Sequence, residues 1–173
     1  MRYFKIIFFI FLVFSYHNTS FSAEVYFIDM TKLLNESKAG KEAQQFLKKK
    51  FNSESKKFGA QLEKLKKEES ELIKKKKDMS QEDYKKAINT LREKNKSYRQ
   101  KRQEASNNFV NQKNQARATL LKTLNPIIEK YMQEKDIKMI VDKKNIVMAS
   151  SNVDLTQIIL KNLDKELKSI NLK

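Results

Sequence analysis

Residues 84–116 read YKKAINTLREKNKSYRQKRQEASNNFVNQKNQA, and a line of positions in this stretch steps alternately by four and three residues. That spacing is a heptad seam, which is typical of a long helix that packs lengthwise against another helix. The seam positions hold Tyr84, Ile88, Leu91, Asn95, Tyr98, Arg102, Ala105, Phe109, Gln112 and Ala116. Because several of these residues are polar, we expect a pairing weaker and more pliable than that of a tight coiled coil.

A second helical pattern precedes this stretch and supplies the partner helix. Its seam is assigned to Phe51, Ser55, Phe58, Leu62, Leu65, Glu69 and Leu72. Between the two patterns, Ser80 can cap a new helix together with Asp83 three residues later. The sequence therefore predicts one antiparallel helical hairpin over residues 38–122, called the arm below, with its tip near residues 78–80. At about 1.5 Å of rise per residue, limbs of about 42 residues would reach about 60 Å.

The two ends of the chain predict a small body that contains β-strands. Residues 25–28 form one β-type run, and residues 137–141 and 146–149 form two more, with 142–145 as the turn of a predicted β-hairpin. Pro126 is expected to kink the preceding helix or to restart it at Asn125. Asp154 is predicted to cap a final helix with one apolar face, formed by Leu155, Ile158, Ile159, Leu163, Leu167 and Ile170. The fold class is α+β, a long helical hairpin on a small β-body built from residues 23–37 and 123–173.

Such a body would have open sheet edges, which several chains could remove by pooling their strands into a shared barrel. The body is also small for an independent core, so a shared core is the natural remedy.

Charge is concentrated on the arm. Residues 38–122 carry 25 Lys and Arg against 11 Asp and Glu, whereas residues 23–37 and 123–173 carry 10 of each sign. A basic arm on a neutral body should attract acidic partners in a salt-dependent way. The chain has no Cys, and its one His is His17, so beyond that residue a His triad, a Cys nucleophile and a typical zinc site are excluded. We therefore expect no enzyme activity, no metal and no cofactor.

The first 22 residues have the pattern of a cleavable signal peptide. Arg2 and Lys5 form a basic start, residues 6–14 are apolar, and Ser20 and Ser22 suit the −3 and −1 cleavage positions. An uncleaved anchor is the alternative, but the apolar run is shorter than the roughly 20 residues that span a bilayer. The sequence thus predicts an exported protein.

Two segments at the ends of the mature chain resemble a known family. EVYFIDMTKLLNESKAGKEAQQFL (24–47) looks like the opening of the Skp/OmpH-like periplasmic chaperones, with a "VDM"-type turn and a small-Gly-Lys step. IKMIVDKKNIVMASSNVDLTQIILKNLDKEL (137–167) is similar to the closing strand pair and "DLT" helix start of that family. Met148 departs from the pattern, since an aromatic residue is expected there. The resemblance implies a homotrimer with a shared β-barrel and three arms, acting as an ATP-independent holdase for unfolded outer-membrane proteins in the periplasm.

The resemblance also suggests contact with lipopolysaccharide or anionic phospholipid, without a recognisable residue motif. Each apolar arm residue either zips the limbs together or faces a cavity between arms that holds clients. The candidate client-binding residues are Phe46, Phe51, Phe58, Leu62, Leu65, Leu72, Tyr84, Ile88, Leu91 and Tyr98. The candidate electrostatic tip comprises Lys74, Lys75, Lys76, Lys77, Lys85 and Lys86, and the candidate body strands include Val25, Phe27, Met139, Val141 and Val147. Gly59 lies mid-limb, as a hinge or as a tolerated residue.

Two other functions fit parts of the same pattern. A basic arm could bind nucleic acid without sequence preference, although an exported protein is not expected to meet nucleic acid physiologically. A structural coiled-coil protein tethered to the envelope by an uncleaved N-terminus is the other alternative. N-terminal sequencing of the native protein separates the tether from the cleaved form.

Overall fold

The computed structural model describes residues 24–172 and shows a mostly helical chain with a small two-stranded sheet. The predicted signal peptide lies outside the described residues. The elements in chain order are β1 (Val25–Ile28), α1 (Met30–Glu36), α2 (Lys38–Lys75), α3 (Gln81–Glu134), β2 (Met139–Asp142) and α4 (Thr156–Glu166). Short 3-10 turns cover Lys76–Asp78, Lys143–Asn145 and Ser151–Val153.

The helices α2 and α3 form the two limbs of the arm and run antiparallel. Their pairing is visible in the ring contacts between Phe51 and Phe109 and between Phe58 and Tyr98. The first turn of α3 is capped by Ser80, whose Oγ accepts from the backbone N–H of Asp83 at 3.1 Å and donates to the Asp83 carboxylate at 2.7 Å. The predicted capping pair is confirmed, and it fixes where the chain reverses.

The seam of α3 agrees with its heptad, whereas the seam of α2 is shifted. Along α3, only Arg102 of the ten seam positions is exposed. Along α2, the predicted seam residues Ser55 and Glu69 are exposed, and their neighbours Glu54 and Glu68 are half-buried instead. A straight helix drifts against a strict seven-residue repeat, so the contact line moves to adjacent positions. This correction shows that polar side chains lie in the contact between the two limbs, on α2 as well as on α3.

The sheet differs from the predicted β-hairpin, which is wrong. β1 pairs with β2 in parallel, with Val25 opposite Met139 and Ile28 opposite Asp142. Residues 146–149 lie outside any strand of this chain. The reason lies in the turn, where the Asp142 carboxylate accepts from the Lys144 backbone N–H at 3.3 Å and starts a 3-10 turn that leads the chain away. β2 instead finds its partner more than a hundred residues earlier.

The body core lies where β1, both ends of the arm and α4 meet. Its buried centre consists of Ile28, Leu33, Ala39, Leu120, Leu124, Ile137, Leu155, Ile159 and Leu163. α3 enters this core as one continuous helix with the exposed Pro126 inside it, so it does not restart at Asn125. One helix therefore belongs to both the arm and the body. α4 ends at Glu166, so Leu167 and Ile170 lie beyond the helix to which the sequence assigns them.

The two end segments are tied together by side-chain hydrogen bonds. The backbone N–H of Asp29 donates to Thr156 Oγ1 at 2.9 Å, while the Asp29 carboxylate caps α1 by accepting from Lys32 N at 2.8 Å. The N-cap of α4 is Leu155, and not Asp154 as the sequence predicts. The Asp154 carboxylate lies one residue before this N-cap and accepts a hydrogen bond from the backbone N–H of Thr156 at 2.8 Å. The backbone N–H of Leu155 also donates to the Phe27 carbonyl at 3.0 Å. These bonds join the start of the chain to α4.

We expect Thr156→Val to lower the free energy of unfolding by about 1–3 kcal/mol, because it leaves the partly buried Asp29 N–H without its acceptor. Thr156 is 2% exposed, so water cannot replace the lost partner easily. Thr90→Val is the control, since Thr90 is exposed and its hydroxyl bonds only the Lys86 carbonyl of its own helix. Urea denaturation measures both. A Thr156→Val protein as stable as the control would contradict the role given to this bond.

Candidate functional site

The tip of the arm is a cluster of exposed cations. Lys74 to Lys77, Lys85 and Lys86 are all exposed. Lys86 pairs with Glu82 at 2.8 Å, and the Lys76 ammonium lies 5.6 Å from the centre of the Tyr84 ring. The other four tip lysines form no ion pair with any residue between 24 and 172. Most of the positive charge at the tip therefore faces solvent.

The apolar candidates of the arm fall into three groups by exposure. Leu65 and Tyr98 are buried in the seam. Phe58, Leu62, Leu72, Tyr84, Ile88 and Leu91 are half-buried between the limbs. Phe46 and Phe51 are exposed, at 41% and 56%, and so are Ile73 and Val110, which were not among the candidates. Only the exposed group leaves a large share of its apolar surface, at least 41%, open to solvent.

A groove opens between the limbs midway along the arm. Its volume is about 750 Å³, and aromatic rings from both limbs stand along it. The ring centroids of Phe51 and Phe109 are 5.6 Å apart, and those of Phe58 and Tyr98 are 5.9 Å apart in an edge-to-face arrangement. Gly59 also lines the groove, and a Cβ placed there would meet no atom within 4 Å. The limbs are thus incompletely packed at this level.

Closer to the tip, a polar contact joins the limbs. The Lys94 ammonium lies 2.7 Å from the Glu68 carboxylate and donates a hydrogen bond to it. This hydrogen bond and the positive charge of Lys94 lower the pKa of Glu68 below its ordinary value. The carboxylate is therefore ionised at neutral pH, and the pair links α2 to α3.

The chain after α4 lies along the body end of the arm, which sequence reasoning missed. Leu172 is 4% exposed and packs with Ala43, Leu47 and Ala116. The Gln112 amide donates to the Leu172 carbonyl at 2.8 Å, and Lys50 Nζ donates to the Gln112 amide oxygen at 2.9 Å. Residues 167–172 are called the tail below. The polar residue Gln112 in the heptad seam was the one sign of this contact in the sequence, because a buried amide needs a hydrogen-bond partner.

The body exposes apolar side chains on its sheet and on the segment that follows β2. Val25 and Met139 face each other across the two strands and are 45% and 52% exposed. Val147 and Met148 are almost fully exposed, at 104% and 89%. Two further candidates, Phe27 and Val141, lie two residues after Val25 and Met139 on the same strands and are buried and half-buried, respectively. Exposed apolar patches on a protein surface commonly mark interaction sites.

None of the helices within residues 24–172 combines the length and the apolar character needed to cross a bilayer.

Comparisons with known proteins agree with this architecture. A family model described as "Outer membrane protein (OmpH-like)" matches residues 24–163. No curated protein matches the sequence significantly. Among solved structures, a crystal structure described as an OmpH-like outer membrane chaperone from Caulobacter crescentus CB15 superposes with a TM-score of 0.77. It shares 20% sequence identity, and the match covers 85% of this chain and 87% of that one. The resemblance found in the sequence is confirmed, and this protein belongs to the OmpH-like family.

Proposed function

We propose that this protein is an ATP-independent chaperone that holds unfolded outer-membrane proteins in the periplasm. The single observation that carries the proposal is an arm of the OmpH-like fold that is basic, open and only partly packed. Four large apolar side chains of the arm are exposed, and Lys74, Lys75, Lys77 and Lys85 form no ion pair with any residue from 24 to 172. A surface of this kind can hold extended chains weakly without a nucleotide-driven step.

The proposed assembly is a homotrimer in which the bodies pool their strands. β2 is paired on one side only, and the body also exposes the apolar side chains of Val25, Met139, Val147 and Met148. Pairing of these edges among copies would cover both the unpaired backbone groups and the apolar side chains. Residues 146–149, which are not in a strand of the single chain, are the segment that we propose adds a strand across the subunit boundary.

The proposed mechanism separates encounter from retention. The net positive charge of residues 38–122 speeds the approach of acidic clients and of anionic lipid or lipopolysaccharide surfaces. Several weak apolar contacts on arms mounted together then hold the client, because linked sites raise the effective concentration. The signal-peptide pattern of residues 1–22 supports export to the compartment where such clients are found.

Aggregation suppression tests the proposal directly. A urea-unfolded outer-membrane β-barrel protein is diluted into buffer with and without this protein, and light scattering is followed while ultracentrifugation gives the mass of the chaperone. We expect a trimer that suppresses scattering without nucleotide. A monomer that leaves client aggregation unchanged would contradict both the assembly and the function.

Charge reversal at the tip tests the electrostatic part. We expect Lys74→Glu, Lys75→Glu and Lys77→Glu together to slow client capture about tenfold at low salt, because steering of this kind changes association rates by about 10- to 1000-fold. At high salt the difference should shrink. The matched control reverses three exposed lysines of the body, Lys161, Lys165 and Lys168, with the same change in net charge. Equal capture rates for the two triple variants at low salt would exclude a special role of the tip.

A further inference from the structure

We propose that the groove between the two limbs of a single arm binds an extended peptide segment that carries aromatic side chains beside an acidic residue. This inference rests on the proposed function, because it names where one arm would hold an unfolded client. It differs from binding in the space between arms, since every wall of the groove belongs to one chain.

The size and walls of the groove suit aromatic side chains. Its volume of about 750 Å³ lies within the range of about 300–1,000 Å³ that ligand pockets occupy. Phe51 and Phe109 stand at one level, and Phe58 and Tyr98 at the next. Phe51 is 56% exposed, so much of its ring surface is available to a ligand. Rings that meet edge to face leave positions where another ring can stack.

The groove stays open because small residues line it. Gly59 contributes no side chain from α2, and Ala105 and Ser106 contribute short ones from α3. A Cβ at Gly59 would have no neighbour within 4 Å, so nothing in the arm itself requires glycine there. Glycine in a helix interior costs about 0.5–1 kcal/mol relative to alanine. Because Gly59 lines the groove and has open space at its Cβ, a larger side chain at this position would occupy part of that space.

The tail shows how an extended segment is held next to the groove. Its Leu172 side chain packs in a cluster that includes Phe109, and Phe109 also lines the groove. The Leu172 carbonyl accepts from the Gln112 amide, which is held in turn by Lys50, another groove residue. Backbone capture and side-chain burial thus already occur at the body end of the groove. A client segment would continue along the same line toward the tip.

The charges of the groove favour an acidic residue in the ligand. Arg102 lines the groove and forms no ion pair with the residues of the described chain. Lys50 contributes a second cation. The one carboxylate of the lining, Glu54, lies 3.8 Å from Lys57 and is partly neutralised by it. A glutamate or aspartate in the peptide would therefore meet net positive charge.

Filling the groove from within tests the proposal. Gly59→Leu adds a side chain where space is free and replaces glycine by a better helix former, so the arm should stay folded. The probe is a short fluorescein-labelled peptide in which phenylalanine alternates with serine and glutamate, and anisotropy measures its binding to the full-length mature protein. We expect Gly59→Leu to weaken binding about tenfold or more, which corresponds to about 1.4 kcal/mol. Gly59→Ala, which adds one methyl group, should weaken it less.

Ser53→Leu is the matched control, because it adds the same side chain to an exposed position of α2 that does not line the groove. Its binding should stay within about twofold of the wild type. Equal binding by Gly59→Leu and the wild type, or no binding of the peptide by the wild type, overturns the groove site. If the wild type still suppresses aggregation of the whole client in either case, the chaperone function stands and the groove alone fails. Thermal unfolding of Gly59→Leu confirms that any loss comes from a folded protein.

Discussion

Gly40→Ala is expected to lower the free energy of unfolding by about 3 kcal/mol, at the upper end of the usual cost of overpacking. A Cβ at this position would lie 2.1 Å from the Leu34 carbonyl oxygen and 2.8 Å from Ser37 Oγ. Ser37 is fully buried and caps α2 by accepting from the Gly40 N–H at 3.2 Å. The added methyl group must therefore push apart α1 and α2 where the arm joins the body.

Gly59→Ala is the matched control for this variant. The same substitution in the same helix meets open space, so it should raise the free energy of unfolding by about 0.5–1 kcal/mol through helix propensity alone. Urea denaturation followed by circular dichroism measures both proteins under one set of conditions. We expect the two substitutions to change the free energy of unfolding in opposite directions. A Gly40→Ala protein at least as stable as the wild type would show that the junction between α1 and α2 can relax.

The double substitution Met139→Asp and Val147→Asp is expected to abolish the proposed trimer and with it the suppression of client aggregation. Both side chains are exposed in the single chain, at 52% and 104%, so their replacement costs the fold of one subunit little. In an assembled body the carboxylates would be buried without partners, which is strongly unfavourable. Ultracentrifugation should give the mass of one chain, with helix content unchanged.

Ile73→Asp provides the control, because Ile73 is exposed to 62% but lies near the tip of the arm. We expect this protein to keep the mass of the wild type. If the double variant also keeps that mass, the apolar surface beside the sheet is not the subunit contact, and the assembly has to be sought elsewhere on the body.

The arm could be predicted from the sequence because its information is local. A seam with steps of four and three residues, a Ser80 cap and the absence of Pro from residues 38–122 define two helices and the turn between them. The heptad of α3 was read correctly at nearly all positions. The seam of α2 was assigned one residue off at Ser55 and Glu69, because glutamates occupy inside positions that a hydrophobic pattern cannot reveal.

The sheet could not be predicted in the same way because its partners are far apart in sequence. Residues 137–141 and 146–149 are close neighbours with a polar segment between them, which favours a hairpin locally. Yet β2 pairs with β1, and the hydrogen bond that the Lys144 backbone N–H donates to the Asp142 carboxylate diverts the chain after it. Nothing in either strand alone specifies a parallel partner across the whole arm. The resemblance also implied a closing strand pair in residues 137–167, which the single chain does not form. The two end segments do contact each other, through the hydrogen bond from the Asp29 N–H to Thr156.

For the candidate site, the sequence predicted where the positive charge lies but not where a groove opens between the limbs. The tip lysines are exposed as their run in the sequence suggests, and whether they bind a client stays a prediction. The structure separates the apolar candidates into buried, half-buried and exposed groups. The heptad pattern alone could not make that distinction. The groove is lined in part by Gly59, which has no side chain. The tail is held by a hydrogen bond between Gln112 and Leu172, which lie 60 positions apart. Such features follow from how two helices fit together.

The parallel pairing of β1 with β2 also has a consequence for the order of folding. β1 leaves the ribosome or an export channel early, but its partner strand is made only after both limbs have been completed. Closing so long a loop from a random coil would be entropically costly and slow. A helical hairpin, once formed, returns the chain to its starting point and removes most of that search. The arm would thus act first as a folding template for the body.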